Sequence, residues 1–310
     1  MSNPVPNRPA VGGAVYDRGY KPYEGTLGGR RASTAALYRT SLRRAIGLRR
    51  PWRQKVAPAV LLAIVTLPAA VNVGVGYLTR DTPAEQFEFF TYREYVGVSS
   101  ALLLFVALVA PDIVCPDRRQ RVLSLIFARS LTGRDYALAK VGAIFTCVFA
   151  FSFLPQVVLY VGQMLVSDGA LDYVRQNSAV LWQIPVAVAV LALFYAVMGV
   201  AVASLTGRRI VAGATMLGIT LVSSTVSAIL VGTVDDTDRA GMNNTGSAAG
   251  LLNILGLPLY VRDLVFLGHL DKDSPLGGVA GGGALAIAAY LAVIAVGVAV
   301  LLTRYRSTEQ

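Results

Sequence analysis

Six long apolar runs, set apart by polar segments, dominate the chain from residue 56 onward. They cover about 56–78, 95–115, 141–166, 179–205, 210–232 and 284–302. Each is long enough, as a helix, to cross a hydrocarbon core about 30 Å thick. Inside them the only acid or base is Asp112, at the edge of the second run. The pattern predicts an all-α membrane protein with six transmembrane helices.

A different pattern precedes the first run. At 100° per residue, Ala35, Leu37, Tyr38, Leu42, Ala45, Ile46 and Leu48 share one broad face. Arg39, Arg43, Arg44 and Arg50 lie off it, and the long stem of Arg49 could snorkel. This predicts an amphipathic interfacial helix in the headgroup plane within residues 33–55, capped by Ser33 or Thr34 and running to about Arg50. Residues 1–32, rich in Pro, Gly and Arg, read as a flexible arm with a local docking piece at 16–25. Because about 55 residues precede the first apolar run, that run is not expected to be a cleavable signal peptide.

Two connections are too long to be simple turns. Residues 112–140 carry six cations (Arg118, Arg119, Arg121, Arg129, Arg134, Lys140) against three acids, and also Val122, Leu123, Leu125, Ile126 and Phe127. As a helix from about 117 to 129, these apolar residues cover most of the circumference, whereas an interfacial helix needs one apolar face. The expectation is a helix held between the bilayer and a second protein. The other long connection, 233–283, has an apolar centre broken by Gly256 and Pro258, too interrupted to span. It predicts two short helices dipping into the outer leaflet against protein.

Composition agrees with a membrane chain. Hydrophobic residues make up 55% of the 310 and charged residues 15%, against roughly 25% charged in soluble domains; the mean hydropathy is +0.57. Cys115 and Cys147 define no disulfide framework or metal spacing, and a single histidine, His269, excludes multi-histidine sites. Charge sets the expected orientation. With the N-terminus cytoplasmic, the inner segments hold 22 of the 28 Lys and Arg residues, and the outer ones only Arg80, Arg93, Arg175, Arg239, Arg262 and Lys272. That asymmetry places both termini in the cytoplasm of a multi-pass protein of the cell (plasma or inner) membrane. Trp52 and Tyr305 then fall at the inner interface, and Tyr77, Tyr92 and Trp182 at the outer one.

Little in the sequence points to chemistry on this chain. No GxxxxGK[ST] pattern occurs, and the glycines at 277–283 have no following Lys, so no phosphate cradle is expected. The acidic clusters Asp112/Asp117 and Asp235/Asp236/Asp238 superficially suit Mg²⁺ and a prenyl diphosphate. They fall on opposite sides of the membrane in this topology, which weakens an intramembrane prenyl- or lipid-transfer enzyme. A coupling-ion transporter would normally place an ionisable residue inside a span, so uphill transport would need energy from another subunit. Thr220, Ser223, Ser224 and Ser227 form a hydroxyl stripe on the fifth run; Ser152, Gln156 and Gln163 do so on the third, and Asn72 lies in the first. Such groups act either as helix–helix glue or as a weakly polar wall for an amphiphile. The basic face at 33–50 beside a membrane span is read as lipid-binding, with no nucleic acid as partner.

This arrangement resembles the permease subunit of a type-2 ABC exporter over residues 33–305. The resemblance rests on the pre-span amphipathic helix, six spans with both ends inside, and a long basic loop ending in SLTGRDYALAK (residues 130–140). The tight inner turn at 206–209 and the broken hairpin between the last two spans complete it. The resemblance implies a separate cytoplasmic ABC ATPase subunit, which carries ATP and Mg, with no cofactor on this chain. It also implies a second permease copy, identical or related. The implied coupling residues are Asp117, Arg118, Arg121, Leu123, Leu125, Ile126 and Arg129, with Arg208 and Arg209 as a secondary contact. The implied substrate pathway is lined by Ser99, Ser100, Phe105, Thr220, Ser223, Ser224 and Ser227. The expected function is export of a hydrophobic or amphiphilic substrate by alternating access. The alternative is a non-transporting membrane anchor or sensor subunit.

Overall fold

A computed structural model describes residues 28–47, 52–79, 91–96, 99–120, 122–127, 131–167, 169–239, 247–271 and 273–309. Every regular element among them is helical: α1 (Arg30–Ala45), α2 (Trp52–Thr79), α3 (Tyr92–Val96), α4 (Ser99–Arg119), α5 (Leu123–Phe127) and α6 (Gly133–Val166), then α7 (Ala170–Gln176), α8 (Ser178–Leu205), α9 (Arg209–Arg239), a 3₁₀ turn (Ala248–Leu252), α10 (Leu257–Leu267) and α11 (Gly282–Glu309). Six stretches are long and apolar enough to cross a membrane: Pro58–Leu78, Tyr92–Arg119, Gly133–Val166, Ser178–Leu205, Arg209–Thr233 and Gly282–Arg306. These coincide with the six apolar runs; the first starts at Pro58 rather than 56, and the other five are extended at one or both ends.

Burial sorts the six into a core and a rim. In the most apolar window, 75% of the second span and 78% of the fourth are buried, against 17%, 17% and 22% for the first, fifth and sixth. Helix α8 is the hub, packed against α4, α6, α9, α10 and α11. Small residues allow this closeness: a Cβ added at Gly199 of α8 would stand 2.6 Å from Val106 on α4. The rim helices present aliphatic rows outward, such as Ile64, Leu67 and Val71 on α2 and Val222, Val226 and Ile229 on α9. Apolar rows of that length suit contact with lipid tails rather than water.

Helix ends depart from the expected boundaries for identifiable reasons. The third span starts at Gly133 rather than 141 because Thr132 and Asp135 form a capping box: the Thr132 side chain accepts from the Asp135 amide, and Asp135 accepts from the Thr132 amide. The pre-span helix begins at Arg30, inside the segment read as an arm, and ends at Ala45. Ser33 and Thr34 therefore do not cap it; Thr34 Oγ1 donates back to the Arg30 carbonyl at 3.0 Å. Its start is anchored instead by Arg30, whose Nε lies 2.7 Å from Asp135 and whose Nη2 lies 3.0 Å from Thr132 Oγ1. The docking piece at 16–25 lies outside the described residues, as do residues 48–50, to which this helix was expected to run.

The helix expected over 117–129 is divided. Residues 117–119 complete α4, and a separate five-residue helix, Leu123–Phe127, follows. Between the last two spans, where two short helices were expected, the described residues hold the 3₁₀ turn and α10. Gly256 and Pro258 mark the start of α10 rather than a break within it, and Gly268, at φ 74°, ends it in the left-handed conformation. Its buried face, Leu257, Tyr260, Arg262 and Asp263, packs against α8 and α11.

Candidate functional site

Most of the described arginines of the loops gather at one end of the bundle, where α1, the end of α4, α5, the start of α6 and the α8–α9 turn meet. The sequence sets this up through the two prolines of α4. Pro111 has no N–H, which leaves the Ala107 carbonyl without its usual donor four residues on. Helix α9 crosses there with Gly213, where an added Cβ would sit 2.8 Å from that oxygen. The start of α9 thus lies close against the middle of α4.

Asp117 lies at the centre of this end. Its carboxylate accepts from Lys140 Nζ at 2.6 Å, Tyr136 OH at 2.9 Å and Arg44 Nη1 at 3.0 Å. Lys140 also donates to the Ile113 carbonyl at 3.1 Å, and the Tyr136 ring meets Tyr305 of α11 edge-on at 4.8 Å. A carboxylate removed from water needs this many partners. Asp117 was expected on a docking surface; with 4% exposure and three internal partners, it is interior instead. Tyr305, expected in an interfacial belt, is buried at 2%.

The other coupling candidates divide between inside and outside. Leu123 is buried, and Ile126 packs partly against the core. Arg118 Nη1 donates to the Ser204 carbonyl at the end of α8, beside the Cys115 Sγ contact to Ala203 O. Arg209 pairs with Asp112 at 2.7 Å, and Arg208 is exposed. Arg121, Arg129 and the Leu125 side chain lie outside the described residues. Arg118, Arg119, Arg208 and Arg209, with Gln120 and Thr206, line an open cleft of about 1370 Å³ between the end of α4 and the α8–α9 turn. Four cations in one cleft favour an acidic surface as its complement.

The pathway candidates do not converge on one channel. Phe105 is buried and stacked on Phe151 with ring centroids 4.2 Å apart. Thr220 donates to the Met216 and Leu217 carbonyls and Ser224 to Leu221 O, all within α9. Ser227 crosses to the 3₁₀ turn, donating to Ala249 O at 2.9 Å. Ser223 lines an apolar cleft of about 710 Å³ with Val222, Val226, Leu252 and Val293. Ser100 is exposed, and the Ser99 side chain lies outside the described residues. On the third span, Gln163 Oε1 accepts from both Tyr92 OH and Tyr173 OH at 2.8 Å, holding α3 and α7 to α6. Of these groups, Ser227 and Gln163 bond across elements, whereas Thr220, Ser223 and Ser224 bond within α9.

Sequence reasoning missed the cleft between α1, α2, α4 and α9. It is about 490 Å³, lined by Leu104, Leu108, Ala214 and Leu217, with Arg44, Asp112 and Arg209 at one end. No single stretch of sequence signals it, because its walls come from four separate segments.

Among the described residues the fold is all-helical, with six helices long and apolar enough to cross a membrane, consistent with a multi-pass membrane protein. No protein-family model matches the chain, and no curated protein matches it either.

Proposed function

We propose that this chain is the transmembrane permease subunit of an ATP-driven exporter of the type-2 ABC class, with both termini cytoplasmic. ATP and Mg are carried by a separate cytoplasmic ATPase subunit, and a second permease copy completes the transporter. The observation that carries this reading is the cleft of Arg118, Arg119, Arg208 and Arg209. It lies where α4 and α8, the two most buried spans, are tied together by the Arg118 and Cys115 contacts. Force applied at that joint reaches the core of the bundle directly. Arg121, Leu125, Ile126 and Arg129 extend the same docking region in sequence.

Nucleotide can drive transport only if the ATPase binds two permease arrangements differently. The exported substrate on this reading is hydrophobic or amphiphilic. One observation favours a non-transporting anchor or sensor instead: Phe105, Thr220 and Ser227 are occupied in packing or intrachain hydrogen bonds.

The test is co-purification: the chain is isolated from its native membrane and an ABC ATPase subunit is sought with it. Arg119→Glu with Arg208→Glu is expected to cut ATPase recovery at least about tenfold while leaving the permease in the membrane, since like charges across an interface cost several kcal/mol. Adding Arg121→Asp and Leu125→Asp deepens the loss. Unchanged recovery and ATPase stimulation would overturn the docking assignment, and absence of any associated ATPase would favour the anchor.

A further inference from the structure

The cleft between α1, α2, α4 and α9 combines two properties in one place. Its volume of about 490 Å³ falls in the roughly 300–1,000 Å³ range of small-ligand sites. Its long walls are aliphatic, and it opens sideways between membrane-length helices, where Leu104 and Leu108 remain 43% and 48% exposed. Its charge is confined to one end. There Arg209 shares Asp112, while Arg44 shares Asp117, which is already committed to Lys140.

Two half-exposed guanidiniums, 48% and 51% by side chain, thus face one carboxylate within the cleft. A guanidinium has five N–H donors, and the contact described for each, Nη1 to its carboxylate, uses one nitrogen. The cleft mouth is a net cation with donor capacity in reserve, at the head of an apolar slot.

We propose that this cleft binds an anionic phospholipid from the leaflet at the arginine-rich end. One acyl chain lies against Leu104, Leu108 and Leu217, and the phosphate sits between Arg44 and Arg209. An apolar helix from a second copy would fill the slot but leave this positive charge uncompensated. A water-borne phosphate would find the charge but gain nothing from the aliphatic walls. The acyl chain exchanges one hydrocarbon environment for another, so it contributes position rather than preference. Selectivity therefore comes from the head group. The inference is independent of transport and of any ATPase.

Native mass spectrometry of the detergent-purified chain tests it, titrating with phosphatidylglycerol and, separately, phosphatidylcholine. The wild type is expected to retain one phosphatidylglycerol in preference to phosphatidylcholine. Arg209→Gln and Arg44→Gln should each weaken that retention about fivefold, as expected for loss of one cation near a membrane surface. Ala214→Trp fills the slot without touching a charge and should weaken retention of both lipids. Arg306→Gln, on the exposed end of α11, should change nothing.

Equal retention of the two lipids by the wild type would overturn the proposal, as would retention unaffected by Ala214→Trp. Loss in Arg306→Gln matching that in Arg209→Gln would reduce the effect to general surface charge. Displacement by glycerol 3-phosphate would make the ligand a free phosphate, and a lipid-free dimer would make it a second copy. Each of these outcomes counts against a lipid.

Discussion

Nζ of Lys140 lies 2.6 Å from the carboxylate of Asp117, and the two side chains are 1% and 6% exposed. The pair joins the end of α4 to the start of α6. Through Arg44 it reaches α1, and through the Tyr136–Tyr305 contact it reaches α11. Four elements that are distant in sequence thus share one buried ionic centre. Burial alone disfavours either ion, so each depends on the other.

That dependence is measurable. Asp117→Leu removes the carboxylate and leaves the Lys140 cation buried with only the Ile113 carbonyl and the face of the Tyr136 ring as described partners, so it should cost about 3–5 kcal/mol. Asp117→Leu with Lys140→Met removes both charges and should recover most of that loss. Thermal unfolding in detergent reads the difference. If the double variant is no more stable than Asp117→Leu, the two residues are not energetically coupled.

At the opposite end of the bundle, Arg93 Nη1 lies 2.9 Å from Asp271, tying the start of the second span to the segment after α10. The Arg93 hydrogen bond, then the Asp273 amide, hold the Asp271 carboxyl below the usual carboxylate range, with the Arg93 and His269 charges acting in the same sense. A depressed carboxyl stabilises fully above its unfolded value of about 3.9 and loses that contribution as pH falls through its lower folded value. The gap in melting temperature between wild type and Asp271→Asn should be present at pH 5 and shrink as pH falls below about 4. A gap that is flat or widens on acidification would remove this contact from the account.

The apolar runs made the spans legible because in hydrocarbon every backbone polar group must be satisfied within the helix, which demands long, uninterrupted apolar segments. The early start of α6 was legible too: Thr132 and Asp135 stand three apart, the spacing of a capping box, and a reading centred on hydropathy passed over it. Asp117 was not. In sequence it is one acid among arginines, and nothing local distinguishes a carboxylate facing water from one facing Lys140, 23 positions on. The same holds for Tyr305, which has the flanks of a belt residue but packs inward on Tyr136. Phe105 and Ser227 sit at the expected positions along their helices, yet which neighbour each meets depends on how the helices cross, and hydropathy carries no information about that.

Ser223 and Ser227 share a helix face, and their surroundings predict opposite responses to the same substitution. Ser227 is 3% exposed, and its hydroxyl holds the 3₁₀ turn through Ala249 O. Ser227→Ala should cost about 1 kcal/mol for the lost hydrogen bond, and Ser227→Phe, forced into a filled site, about 1–3 kcal/mol. Ser223 spends its hydroxyl on its own helix, 2.9 Å from Thr220 O, and borders an open apolar cleft. Ser223→Phe can enter that space, so folding and membrane insertion should survive. If the chain exports an amphiphile along α9, this variant alters transport in proteoliposomes while its melting temperature stays near wild type. A Ser223→Phe chain that transports normally would leave the cleft as a feature of packing. One that fails to fold would show that α9 and the 3₁₀ turn close more tightly than the open cleft implies.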